Sequence, residues 1–136
     1  MSTADRYPTA NRQRLAIMLD HMNLIVAEVA KSKGFFAAAL APLGYKVLYE
    51  IPEGVGFGVD HPILWINPGT VGNRIHVAFA APNRAIVRAF YDAATVAGGK
   101  DNGAPGLRPQ YHRDYYGAFV LDPDGNNIEA VCRRPE

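Results

Sequence analysis

Two histidines and one glutamate stand in apolar stretches where a polar side chain needs a partner. His21 lies in LDHMNLIV, His76 in RIHVAF and Glu129 in NNIEAV. Two imidazoles and a carboxylate form a donor set that one divalent ion, Zn, Ni, Mn or Fe, accepts with positions left open for substrate. Each residue also has a plainer use. A strand histidine can simply be hydrogen-bonded, and Glu129 can lie on a solvated sheet face. Buried in an apolar strand, however, its carboxylate is costly unless something positive meets it.

The elements that must position these groups can be read around them. Glu129 sits in the second strand of a hairpin, where apolar residues 117–121 and 128–131 flank Asp122, Pro123, Asp124 and Gly125. That tetrapeptide has type I turn chemistry, with Pro presetting φ and Gly supplying a left-handed residue. Alternation places Asn127, Glu129 and Val131 on one face, and Ile128, Ala130 and Cys132 on the other. His21 falls in a strand over residues 19–26, sharing a face with Asn23 and Ile25. A helix over residues 30–41 follows, with Phe35, Phe36, Ala39 and Leu40 as its apolar stripe, ended by Pro42 and Gly44. Residues 46–51, 55–59 and 63–67 read as three short strands, after which Pro68, Gly69 and Gly72 make a connection.

The pattern then restarts. Residues 75–80 form a strand holding His76. Asn83 caps a helix running to Ala97, with Gly98 and Gly99 at its end. Residues 101–109, rich in Gly, Pro and Asn, read as a loop before the closing hairpin. An offset of 55 superposes His21 on His76, the pair Phe35 and Phe36 on Phe90 and Tyr91, Ala39 on Ala94 and Gly44 on Gly99. Four coincidences at one offset indicate an internal duplication of about 50 residues. If a pseudo-two-fold axis relates the units, the two histidines converge on one point from two sides, and Glu129 completes the set from the last strand.

Other polar residues gather near that point. His112, Tyr115 and Tyr116 precede the hairpin strand and could act as acid, base or hydrogen-bond donor. Tyr115 shares the face of Gly117 and Phe119 and Tyr116 takes the other; which face is inside stays open. Asn23 and Asn67 would line the cup and Trp65 would form an apolar wall. Arg108 and Arg113 could hold an anionic substrate.

The segments LDHMNLIV with KSKGFF, RIHVAF and FVLDPDGNNIEAV resemble the vicinal oxygen chelate superfamily, which holds glyoxalase I, fosfomycin-resistance proteins, extradiol dioxygenases and bleomycin-resistance proteins. The resemblance covers residues 19–132. It implies an α+β fold of two βαβββ modules, about residues 19–67 and 74–132, forming a curved, incompletely closed barrel within a single domain over residues 19–134. It places His21, His76 and Glu129 at metal-ligand positions and implies a homodimer. A glyoxalase I would take a fourth ligand from residues 63–67, and only Asn67 offers an oxygen there. The implied activity is that of a divalent-metal-dependent lyase, isomerase or ring-cleaving dioxygenase acting on a small molecule with two adjacent oxygens. The alternative is a metal-free binding or drug-sequestration protein of the bleomycin-resistance type; a fold kept only as a partner-binding module is a third reading.

Composition bounds these readings. The chain has 136 residues, 49% hydrophobic and 20% charged, enough for one domain with its own core. Its 14 basic and 13 acidic residues form no basic stripe, which argues against nucleic acid or an anionic membrane surface as partner. No apolar run is long enough to span a bilayer. The single cysteine, Cys132, suits a reducing cytoplasm. Residues 1–18 read as a polar N-terminal extension without a secretory signal.

Overall fold

A computed structural model of the protein describes residues 19–136. The expected N-terminal extension, residues 1–18, lies outside the described residues. Two βαβββ modules follow one another: β1 (Met22–Val26), α1 (Val29–Leu40), β2 (Lys46–Ile51), β3 (Gly54–Gly58) and β4 (Pro62–Pro68), then β5 (His76–Ala80), α2 (Arg84–Val96), β6 (Lys100–Leu107), β7 (Tyr116–Leu121) and β8 (Asn127–Cys132). Each module makes one four-stranded sheet, in the orders β1-β4-β3-β2 and β5-β8-β7-β6. In both, the first and last strands pair parallel and the other pairs are antiparallel. The duplication inferred from the offset is therefore expressed as the same topology twice. The two sheets are not joined by hydrogen bonds, so the α+β fold is an open one.

Burial follows the alternation along the strands. Leu24, Val26, Leu64 and Ile66 are buried on one face of the first sheet, while Asn23, Ile25, Trp65 and Asn67 lie on the other and stay partly accessible. In the second sheet Ala118, Val120, Ile128, Ala130 and Cys132 are buried in the core. The helices cover the core faces, α1 against β2, β3 and β4, and α2 against β6, β7 and β8, and they touch each other. Phe35, Phe36, Ala39 and Leu40 of α1 join Val87, Phe90 and Ala94 of α2 in the shared core. The remaining face of each sheet is free of helix. The Asn83 side chain caps α2 by accepting from the Ile86 amide at 2.9 Å, as expected.

Two expectations need correction. Residues 101–109 are not a loop, because Lys100–Leu107 forms the edge strand β6 on β7. The Gly, Pro and Asn content that reads as a loop is absorbed as register shifts between Asp101 and Gly103 and between Gly103 and Gly106. An edge strand tolerates Pro105, whose missing N–H costs no ladder bond on the solvent side. The first strand is also shorter than residues 19–26. It starts at Met22, leaving His21 just outside the ladder and exposed. The first helix ends at Leu40, with a single 3-10 turn over Ala41–Leu43 before Gly44.

The closing hairpin is tied down by its turn. The Gly125 amide donates to the Asp122 carbonyl at 3.0 Å, and Gly125 has φ +86°, a region glycine enters without steric cost. Asn126 extends the loop by one residue. Its Oδ1 accepts from the Ile75 amide at 2.9 Å, and the Asn127 amide donates to the Ile75 carbonyl at 2.9 Å. Buried Asn126 thereby clamps the start of β5 to the start of β8. That clamp sets His76 and Glu129 on neighbouring strands.

Candidate functional site

Glu129 lies opposite Ala78 of β5 on one side and Phe119 of β7 on the other. Although it points to the helix-free face, it is only 1% exposed. Its Oε1 meets Nε2 of His76 at 2.8 Å, and its Oε2 accepts a hydrogen bond from the Tyr115 hydroxyl. Two partners, each of them able to donate to the carboxylate, offset much of the desolvation of a buried acid. Burial and then the hydrogen bond to Glu129 push the Tyr115 phenol up to about 12, so it keeps its proton across the physiological range. Gly117 makes the arrangement possible: a Cβ there would come within 3.1 Å of the Tyr115 ring and 3.2 Å of Glu129 Oε2.

The group forms the floor of a hollow of about 380 Å³ lined by His76, Tyr111, Tyr115, Phe119, Glu129 and Arg133. Tyr111 meets Tyr115 edge-on at 5.2 Å, and His76 lies 6.0 Å from the Phe119 ring. The Arg133 guanidinium sits 5.0 Å above the Tyr115 ring, and that of Arg108 sits 5.5 Å from Phe119. An imidazole beside that carboxylate can exchange a proton with a small molecule held above it, and the phenol can donate a hydrogen bond.

The structure brings some of the expected site residues together and separates others. His76, Glu129 and Tyr115 converge, and Arg108 flanks them. Tyr116 occupies the opposite face, where the guanidinium groups of Arg84 and Arg88 from α2 lie 5.2 and 5.9 Å from its ring. His112 is in the turn before β7 and uses Nδ1 to accept from the Asp114 amide at 3.2 Å. Arg113 is 89% exposed in its side chain and pairs with Asp114. On the first sheet, Asn23 donates to Asn67 Oδ1 at 2.8 Å, so the oxygen that Asn67 offered is already engaged. Trp65 stacks with Tyr49 at 6.1 Å and 20° on the same helix-free face. By register Trp65 is the first module's counterpart of Glu129, since Asn23 faces Trp65 as Ala78 faces Glu129.

His21 does not join the group. Its Nδ1 meets Asp20 at 2.8 Å, and its side chain is half exposed. Among the described residues no three His, Cys, Asp or Glu stand together as a metal would require. One chain thus presents two donors, His76 and Glu129, of the right chemistry but short of a complete set. Two lining residues, Tyr111 and Arg133, were not singled out from the sequence. Alternation along β8 pointed to Arg133, which follows Glu129 and Val131 at steps of two.

Comparison with known proteins agrees with this fold. A family model described as the glyoxalase/bleomycin resistance protein/dioxygenase superfamily matches residues 18–130. Among solved structures, a glyoxalase/bleomycin resistance protein from Albidiferax ferrireducens T118 is 27% identical, with a TM-score of 0.74 over 87% of this chain and 99% of that one. A fosfomycin resistance protein, FosX, from Mesorhizobium loti has a TM-score of 0.63 at 17% identity over 84% of this chain and 90% of its own. A lactoylglutathione lyase from Agrobacterium tumefaciens has a TM-score of 0.61 at 17% identity, over 82% and 90%. The last two share the fold. No curated protein matches the sequence. No helix among the described residues is long and apolar enough to cross a membrane.

Proposed function

Because the chain belongs to the glyoxalase/bleomycin resistance protein/dioxygenase superfamily, whose members typically use a divalent metal, we propose that it is a metal-dependent enzyme acting on a small molecule with two adjacent oxygens. The reaction is of the lyase, isomerase or ring-cleaving dioxygenase type, in the cytoplasm, where buried Cys132 stays reduced. His76 and Glu129 would hold one divalent ion together with His21 of the partner subunit in a homodimer. The observation that carries the reading is Glu129, a carboxylate 1% exposed yet facing an open hollow, with His76 and Tyr115 on its two oxygens. A buried carboxylate held by two specific partners at the floor of a hollow is a functional-site candidate.

His21 supports the dimer. It is the repeat's counterpart of His76 and, like it, half exposed, but it is not grouped with the pair in its own chain. A symmetric dimer that lays the first sheet of one copy against the second sheet of the other would supply the missing donor twice over. It would also cover the helix-free faces of both sheets, including exposed Ile25, Tyr49 and Ile51. A bound ion polarises a substrate oxygen and stabilises charge that develops on it. Tyr115 orients the carboxylate by donating to Oε2.

Metal analysis of protein purified without chelator tests the ion, and mixing variants tests the shared site. His21→Ala and Glu129→Ala should each lose most bound metal. Mixed and reassembled, they form heterodimers in which one of the two sites is intact, so binding returns. No recovery on mixing would overturn the shared site. Metal-free wild type with unchanged melting on adding Zn, Ni, Mn or Fe(II) would instead favour a metal-free binding protein, the reading to which the two-donor set of a single chain lends weight. If the ion binds, the wild type should gain about 2.7 kcal/mol at a hundredfold excess over Kd. His61, exposed in the bend just before β4, lies outside this set, and His61→Ala should keep that gain.

A further inference from the structure

We propose that the hollow on the second sheet selects small aromatic carboxylates, with Arg133 binding the anionic group and Tyr111 and Phe119 enclosing the ring. The inference rests on the reading of this face as the substrate-binding face and names what it takes. At about 380 Å³ the hollow lies at the small end of the roughly 300–1,000 Å³ range of small-molecule sites.

Its lining sorts into walls, floor and one open cation. The walls are aromatic: Phe119, Tyr115 and Tyr111, which is 63% exposed and so presents a ring with no structural burial to explain it. The floor's polar atoms are already engaged, since both oxygens of Glu129 have partners in His76 and Tyr115. Arg108, outside the lining, is anchored as well: its Nη2 donates to the Ala104 carbonyl at 2.7 Å while the guanidinium backs the Phe119 ring. Arg133 differs from both. Its guanidinium carbon lies 5.0 Å over the Tyr115 ring, and no carboxylate among the described residues pairs with it. No protein acceptor among the described residues takes its N–H groups, which remain available to grip a carboxylate with two parallel hydrogen bonds. Pre-positioning on the ring also limits the rotamer entropy that a free arginine would lose on binding. A planar ring bearing a carboxylate satisfies both features at once: aromatic contact below, charge at the rim.

The experiment uses sodium benzoate as probe, with benzamide and acetate as partial mimics, and reads backbone amide shifts of Phe119 and Val131 by NMR in EDTA. Benzoate should shift these amides saturably, while benzamide and acetate at equal concentration should bind at least tenfold more weakly. Arg133→Gln should raise the benzoate Kd at least tenfold and Arg133→Lys by less. Tyr111→Ala should weaken benzoate too, whereas Lys100→Gln, which removes a cation elsewhere, should change nothing. Benzoate binding that survives Arg133→Gln, or benzamide binding as tightly as benzoate, would overturn the proposal. Working without metal keeps the two readings apart. Loss of the metal site leaves this result standing, and failure of benzoate binding leaves the metal site untouched.

Discussion

Replacing Tyr115 by Phe removes one oxygen and leaves the ring, its edge contact with Tyr111 and its stacking with Arg133 in place. What is lost is the hydroxyl that donates to Oε2 of Glu129. Because the acceptor is a carboxylate 1% exposed, solvent cannot readily take over the bond. Hydrogen bonds to charged groups contribute about 1.5–3 kcal/mol, so Tyr115→Phe should destabilise metal-free protein by about 2 kcal/mol at pH 7. The titration of Tyr115, shifted by burial first and by Glu129 second, carries the pH dependence. Its folded-state value is raised by burial and by Glu129 to about 12, from the 10.0 of an unperturbed tyrosine. A rise of that size corresponds to about 2.7 kcal/mol. The sign follows from linkage. With the folded value above the unfolded one, the contribution is complete below pH 10 and is lost as pH rises towards 12, where the unfolded chain releases the proton first. Urea unfolding of both proteins in EDTA, from pH 7 to 12, isolates this residue, because every other titrating group is common to the two. The difference should hold near 2 kcal/mol to about pH 10 and then shrink. A difference below about 0.5 kcal/mol at pH 7, typical of an inconsequential surface change, would refute the reasoning; so would one that ignores pH up to 12.

Two further substitutions probe how the site is built. Gly117→Ala places a methyl between the Tyr115 ring and Glu129, and should cost about 1–3 kcal/mol as other overpacked sites do, with the Tyr115 dependence on pH flattened in the same urea series. Asn126→Ala orphans the Ile75 amide and removes a partner of buried Asp122, so thermal melting should report a loss of about 1–3 kcal/mol. Because Asn126 clamps β5 to β8 next to His76, the same variant should weaken metal binding; an unchanged metal affinity would show that the clamp does not position His76.

Much of the fold was legible because it is written twice. The 55-residue offset between His21 and His76 anticipates two modules, and the two sheets have the same strand order. Strand β6 was not legible: its glycines and Pro105 have the composition of a loop, and it becomes a strand only because β7 presents an open edge. The choice between Tyr115 and Tyr116 was undecidable for a sharper reason. Alternation fixes which residues of a strand share a face, but the pairing register decides which face meets Glu129, and a slip of one residue exchanges the two. A four-residue turn closing on Leu121 and Asn126 would put Glu129 beside Tyr116. The actual loop closes on Leu121 and Asn127, with the Asp122 amide donating to the Asn126 carbonyl, and so Phe119 and Tyr115 share the face of Glu129.

Equivalent places on two modules make His21 and His76 comparable, but they do not say whether the modules' open faces meet within one chain or between two. In the single chain the helices lie against each other and the helix-free faces remain open, one carrying Trp65 and Tyr49, the other His76, Glu129 and Tyr115. The modules have diverged at one decisive register position, where the first keeps a tryptophan and the second a carboxylate. A cup built from one face of each kind would have an aromatic wall opposite an acid, whereas two like faces would give either no carboxylate or two in mutual repulsion. Pairing of unlike faces is therefore the arrangement that puts a buried acid, an imidazole from each module and an apolar wall around one small molecule, and recovery of metal on mixing His21→Ala with Glu129→Ala is its direct signature.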